Sequence, residues 1–497
     1  MDGLYRVAGG IENHQLVALA LCAALLAYVY TVLSSPLAKI PGPWYTKWTT
    51  AVLKYNMIKG RRPKWVHSLH EKYGPLVRIG PAEVSVQDPE AVQQMYAIKG
   101  EFLKGRFYKD LLPGEFENVF STADVDYHRR LRRLLAAEFS ESGLAVHRPA
   151  VDAKVQLTIQ RMAEEMEERG VVDVYRWFLY MATDVIGELS FGSSFQMLET
   201  KEENQYIRDL KLVGFAGGVR STFPFLTWVN KFVPLPVLSV GTSVRERMRG
   251  YASESLARHY RLAAGGEGAG AGAARPTLLS KLYRAAGEDA LSFGELRESA
   301  TVYITAGSDT TTNTLTYLVW AVCARPDVRA RLLAELRALP PAFEDPDLRR
   351  LPYLDRLLTE TLRLFSAAPA GLPRRVPPAG ARLAGRWLPP GCTVSAQAYS
   401  MHRDPAVYPD PLRFDPDRWE NPTRAMKDAF VPFGGGSRIC IGLHLAKMEL
   451  RLATARFFTR FPNAKISTKE GFCDEDMEAD MYFLMSPKKH RCLIEVY

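Results

Sequence analysis

The densest chemical signal lies in ten residues, Phe433-Gly-Gly-Gly-Ser-Arg438-Ile-Cys440-Ile-Gly442. Consecutive glycines let a backbone bend tightly and approach a flat ligand closely. Cys440 follows them and opens an apolar helical pattern over 441–461. A helix N-terminus carries free N–H groups and partial positive charge, which favour thiolate over thiol. Gly442 leaves a backbone N–H unobstructed for the sulfur, and Arg438 is a cation suited to an acidic cofactor edge. A single thiolate in apolar surroundings suits haem iron. Two plainer readings stand beside it. Cys440 could be an inert buried thiol. It could also join His444 at zinc, although no second pair of ligands is spaced to close such a site.

Three further constellations could carry chemistry. Ala306-Gly-Ser-Asp309-Thr310-Thr lies inside one long helical pattern, 292–324. Glycine and polar residues are unfavourable there, and such local conflict marks function. A kink with satisfied hydroxyls is the plain alternative. Glu360 and Arg363 stand i, i+3 on one helix face, which by itself describes an ordinary ion pair. His128 and Arg132 stand i, i+4 in a segment that also holds Arg129, Arg130 and Arg133, and whose plain reading is a solvated basic face.

The elements that must position these residues are mainly helical. Beyond 292–324, helices are expected at 327–339 and 353–365, and short strands and turns at 372–399, which is rich in Pro, Gly and Val. A Gly/Ala-rich run at 263–274 reads as a surface loop rather than a domain boundary. Residues 16–33 form 18 uncharged positions, long enough as a helix to span roughly 27 Å of hydrocarbon. The start before them is nearly neutral, unlike a signal peptide, so an uncleaved anchor over 1–35 is expected. Lys39, Lys47, Lys54, Lys59, Arg61, Arg62 and Lys64 follow, and positive flanks stay cytoplasmic. Between anchor and globule, Pro36 to Pro43 makes a stiff hinge. The chain has 497 residues, 47% of them hydrophobic, ample for a large core. Its net charge of +9 suits an anionic membrane surface or an acidic partner. The basic residues are spread out and lack an aromatic ladder, so nucleic acid is not expected. Six scattered cysteines argue against a disulfide framework.

The segment from Phe433 to Gly442 resembles, without departure, the haem-binding loop of the cytochrome P-450 family, Phe-x-x-Gly-x-Arg-x-Cys-x-Gly. The resemblance runs from Pro41 to the C-terminus in family order. It implies a mainly α fold with small β-sheets over 36–497, haem b with Cys440 as axial thiolate, and Phe433, Arg438 and Gly442 against the cofactor. Glu360-x-x-Arg363 is similar to the family's charge pair, completed by Arg418 in Phe414-Asp-Pro-Asp-Arg418-Trp419 and locking the cysteine loop. The 306–311 motif resembles the one over the distal haem face, where Gly307 would make room for O2, Thr310 would hydrogen-bond iron-bound oxygen and Asp309 would help deliver protons. His128 and Arg132 fall where the family has Trp-x-x-x-Arg on the haem propionates; His stands here in place of Trp, and Arg129 or Arg133 are alternatives. Arg374 matches the family's strand arginine on a propionate, with Arg375 beside it.

The implied reaction is O2-dependent oxidation of a lipophilic small molecule. No flavin or nicotinamide fingerprint is evident, so electrons would come from NADPH through a separate cytochrome P-450 reductase, with cytochrome b5 a further donor. The hinge and anchor resemble microsomal members, implying a single-pass endoplasmic-reticulum protein facing the cytosol. Gly371-Leu-Pro-Arg374 and Ala446-Lys-Met-Glu-Leu are similar to filamentous-fungal members of secondary metabolism, implying a terpenoid or polyketide intermediate. The pocket would be lined by 106–122, 302–310, 367–372 and 481–485. An O2-independent isomerase or dehydratase, and a non-catalytic haem sensor, are the rival classes; retention of Asp309 and Thr310 speaks against the first.

Overall fold

Proline and capping residues set where the helices begin. A computed structural model describes residues 13–98, 100–112, 114–230, 232–265 and 277–496. Helix α1 (Asn13–Ser34) is apolar and buries only Val32. Its last turns touch the globule, where the Tyr28 hydroxyl donates to the Trp48 carbonyl at 2.6 Å. Strands β1 (Leu76–Gly80) and β2 (Glu83–Val86) form a hairpin. Then come α2 (Val125–Ala136), α3 (Arg148–Arg169), α4 (Val174–Phe191), α5 (Gln205–Thr222) and α6 (Pro236–Gly265). The Gly/Ala-rich run at 263–274 lies, from residue 266 on, outside the described residues.

The long helix α7 (Phe293–Cys323) starts at a capping box between Ser292 and Glu295. It is continuous through residues 306–311, without the kink that the polar run allowed. Its hydroxyls bond back along the helix: Ser308 donates to the Ile304 carbonyl, and Thr312 to that of Ser308. Helices α8 (Pro326–Leu336) and α9 (Pro352–Leu364) each open with proline, within three residues of the expected bounds. Strands β3 (Arg374–Arg375) and β4 (Thr393–Ala396) join the hairpin in a sheet of order β1-β2-β4-β3, with β2 and β4 parallel.

Helix α10 (Leu443–Arg460) has Gly442 as N-cap, so Cys440 lies two residues before that cap rather than opening the helix. The fold is mainly helical with small sheets, as expected. One large apolar core holds α4, α7 and α10, with α7 running between α4 and the helix after the cysteine loop. Burial of those apolar faces, more than helix propensity, holds them in place.

Candidate active site

The cysteine loop is built by backbone contacts. The Cys440 N–H donates to the Phe433 carbonyl at 2.9 Å, and the Gly434 N–H to that of Val431 at 3.1 Å. Gly434 and Gly436 have φ of 72° and 60°, which other residues adopt at a cost. The glycines approach protein rather than a flat ligand: a Cβ on Gly436 would lie 1.5 Å from the Tyr96 carbonyl oxygen. The Gly442 N–H bonds to the sulfur and favours the thiolate, as does Arg132. Burial outweighs both and pushes the thiol up. That reverses the sequence-based expectation of a favoured thiolate. A metal cation at the sulfur would supply the missing compensation.

Cys440 is nevertheless accessible. So is Ala306, near the middle of α7. The exposure of both, with Tyr303 of α7 within electrostatic reach of Cys440, implies a space between the loop and α7.

One edge of that space is a concentration of positive charge. Arg132 donates to the Ile439 carbonyl at 2.6 Å, Arg438 to that of Thr122 at 3.2 Å, and Arg374 to the Tyr108 hydroxyl at 2.6 Å. Lys104 donates to the Phe120 carbonyl. Each of these acceptors is neutral. A cavity of about 630 Å³ adjoins them, lined also by Tyr96, Phe102 and His128. Burial and the neighbouring cations hold the Lys104 ammonium well below its ordinary range and Arg438 down to about 10. The same causes push His128 down to about 3, so its imidazole is neutral at pH 7. Clustered, largely buried cations whose hydrogen bonds go to neutral oxygens are costly unless a ligand brings anions. Haem, with two propionates, fits this edge, and an accessible sulfur in an apolar enclosure fits its iron.

The structure discriminates among the sequence-selected cations. Arg374 is buried and Arg375 exposed. Arg133 pairs with Asp289 at 2.6 Å and Arg129 with Asp126 at 2.5 Å, so both charges are already paired, while Arg132 bonds the loop at Ile439. Lys104 is the member that sequence reading missed, because one lysine among 64 basic residues carries no local signal. Lys104→Met is expected to act with opposite signs on the two forms. It relieves repulsion in the haem-free chain and raises its thermal stability. In the loaded protein it removes a charge-assisted contact worth about 1.5–3 kcal/mol, so haem transfers to an acceptor protein about tenfold faster or more.

The charge set behind the loop is present with all three members. Glu360 accepts from Arg363 at 2.7 and 2.8 Å and from Arg418 at 3.0 Å, and Arg363 and Glu360 are fully buried. The Trp419 indole and the Asp415 N–H add bonds to the carboxylate at 2.9 and 2.8 Å. Sequence reading missed the residue that joins this set to the loop. His402 Nδ1 lies 2.9 Å from the Arg363 carbonyl, while the Val431 N–H donates to His402 Nε2 at 3.0 Å. Nε2 therefore accepts and Nδ1–H donates, a neutral tautomer consistent with burial pushing this histidine down to about 3.

On α7, Thr310 donates to the Ala306 carbonyl at 2.8 Å and is half-buried beside the space, leaving its oxygen lone pairs available. Burial raises the Asp309 carboxyl to about 7, against a lowering by Lys211 of α5. Gly307 serves packing: a Cβ there would come within 2.8 Å of the Ile186 side chain on α4. This closeness accounts for its missing side chain, in place of the expected clearance for O2. Thr311 turns away and donates to the buried Glu449 of α10 at 2.9 Å. Phe107, Tyr108, Phe120 and Phe483 form an aromatic cluster with centroids 5.4–6.2 Å apart. Met485 bonds to the Ala367 carbonyl, bringing two of the expected lining segments together. Sequence reading missed α5, whose Gly217 and Gly218 pack on Leu111 and Tyr482.

Comparison with known proteins agrees with this arrangement. The cytochrome P450 family model matches residues 40–494. The chain is 49% identical to cytochrome P450 monooxygenase tazI of Aspergillus terreus, over 98% of this chain and 99% of that protein. It is 34% identical to cytochrome P450 monooxygenase aflV of Aspergillus parasiticus, over 95% and 94%. It is 32% identical to tryprostatin B 6-hydroxylase of Neosartorya fischeri, over 87% and 78%. With an accessible cysteine, a concentrated cation edge and near full-length similarity, the chain belongs to the cytochrome P450 family, monooxygenases that hold haem iron through a cysteine thiolate.

Proposed function

We propose that residues 36–497 form a haem-thiolate monooxygenase with Cys440 as the iron ligand, tethered by residues 1–35 to the endoplasmic-reticulum membrane and facing the cytosol. The observation that carries this reading is an accessible cysteine beside buried and half-buried cations that bond only to neutral oxygens. Arg132, Arg374, Arg438, Lys104 and neutral His128 would receive the propionates, and Phe433 and Gly442 would border the sulfur. Bound haem supplies the activation of dioxygen. The substrate is a lipophilic intermediate of fungal secondary metabolism, a terpenoid or polyketide, in keeping with the aromatic cluster around Phe107 and Phe483. Electrons come from NADPH through a separate reductase, with cytochrome b5 a second donor.

Membrane attachment is supported by α1, which is 22 residues long and apolar, about 33 Å at helical rise. Phe225, Trp228 and Phe232 form an exposed aromatic patch on the globule, a side-chain type favoured at membrane interfaces.

The direct test supplies purified protein with NADPH, reductase, isotopically labelled dioxygen and a panel of lipophilic candidates. One labelled oxygen atom in a product supports the reading; product formed without dioxygen or electrons overturns it.

Asp309 and Thr310 hold and pass protons at the cavity. Because burial places the Asp309 carboxyl at about 7, its acid form prevails below that pH and is lost above it. Turnover is therefore expected to fall as pH rises through neutrality. Asp309→Asn should abolish this step and slow product formation by about 10²-fold, the scale of a lost proton donor. Asp309 in turn raises the buried Tyr175 and Tyr206 hydroxyls, and that contribution is lost in the variant. A pH profile of product formed per NADPH consumed checks both statements.

A further inference from the structure

The cysteine loop is held at its two ends by different side chains. Arg132 at the Ile439 carbonyl and Arg438 at that of Thr122 hold the end that carries Cys440. At the entry, the Val431 N–H donates to His402 Nε2 at 3.0 Å. Phe430, one residue earlier, stacks on the His402 ring at 5.4 Å and meets the Trp419 ring at 5.0 Å. The orientation of His402 is itself fixed. Its carbonyl accepts from the Arg363 guanidinium at 2.7 Å, and its Nδ1–H donates back to the Arg363 carbonyl at 2.9 Å, with Ser366 Oγ 3.2 Å away. The residue is fully buried.

One rigid, neutral ring thus offers a donor at one edge and an acceptor at the other. The donor edge is tied to α9, which bears Glu360 and Arg363, and the acceptor edge to the loop. Beyond Val431, the hydrogen bonds run on toward the sulfur. The Val431 carbonyl accepts from the Gly434 N–H at 3.1 Å, and the Phe433 carbonyl from the Cys440 N–H at 2.9 Å. The sulfur depends on its placement, because burial favours the thiol over the thiolate. A sulfur displaced from the iron would take a proton from water: the iron–sulfur bond opens, an S–H bond forms, and no electron is transferred.

We propose that His402 is a positioning residue for the haem ligand: by accepting the Val431 N–H at Nε2 it keeps the Cys440 sulfur in place as a thiolate on the iron, beyond any share it has in folding or in haem retention. This rests on the monooxygenase reading above and deepens it. His402 differs in this from Glu360, where the charge left behind on Arg363 puts stability and haem at risk together.

The experiment follows the dithionite-reduced holoenzyme under carbon monoxide at one temperature below its unfolding transition. It records the rate at which the thiolate-type band gives way to a band without thiolate, with helix content by circular dichroism and bound haem measured alongside. His402→Phe keeps a ring against Phe430 and leaves the Val431 N–H without an acceptor. It is expected to lose the thiolate-type band about tenfold faster than the parent, the scale of one buried donor left unpaired, with helix content and bound haem retained. His402→Gln, whose amide oxygen can stand where Nε2 does, should hold the band nearly as long as the parent. A His402→Phe protein with the parent's rate overturns the proposal. So does one that does not fold, or that loses helix content and haem together with the band, since His402 is then a packing residue. A folded His402→Gln protein that loses the band tenfold faster than the parent overturns it independently. A parent protein without a thiolate-type band sinks the monooxygenase reading itself.

Discussion

Cys440→Ser is expected to leave a folded protein that neither activates dioxygen nor forms product. The fold should survive because the loop is held by backbone bonds at Phe433 and Val431 and by the Tyr96 contact, none of which uses the sulfur. Function should not survive, because a serine hydroxyl is a far weaker electron donor to iron than a thiolate. Removal of a group on which the chemical step depends costs on the order of 10⁴-fold or more. Haem content, thermal unfolding and product formation separate the two effects. Retained folding with product at or below one part in 10⁴, roughly, is the predicted outcome. Loss of folding would place the role of Cys440 in packing, and retained turnover would remove it from the reaction.

The second large effect is expected at Glu360, nowhere near the reacting atoms. Glu360→Gln takes one charge from a carboxylate that receives two arginines, one indole N–H and one backbone N–H. Arg363 is fully buried, and its remaining N–H groups already bond to the carbonyls of His402, Pro411 and Arg413. No solvent is present to take over its charge. Breaking a buried pair on one side costs about 3–5 kcal/mol, much of it for the charge left behind. His402 carries the damage to Val431, where the cysteine loop begins. The variant should therefore lose stability and haem together. Denaturant unfolding and haem content, measured on one preparation, check this. Full haem content with normal stability would mean that the set is a bystander.

Much of this was legible in the sequence because the signals are local. Ser292 with Glu295, Pro326 and Pro352 mark helix starts by their own backbone preferences, and α7, α8 and α9 begin there. The family resemblance carried Glu360, Arg363 and Arg418 to one place across a wide sequence separation, and they meet. What was not legible depends on burial and rotation. Three arginines at 129, 132 and 133 are alike as letters, and only the helix face separates the one toward the loop from the two toward Asp126 and Asp289. Lys104 and His402 act through tertiary placement and carry no spacing signal. The glycines at 307, 435 and 436 were read as room for ligands, yet the nearest atoms are Ile186 and Tyr96. The thiol of Cys440 was read as favoured toward thiolate, and desolvation reverses that until a cation binds.

The central claim is that Cys440 ligates haem iron, and the difference spectrum of the dithionite-reduced protein with carbon monoxide tests it most directly. The predicted result is a band at the thiolate-ligated position in the parent protein and its disappearance in Cys440→Ser. A band at the imidazole-ligated position in freshly purified parent protein, or an unchanged thiolate band in Cys440→Ser, would contradict it.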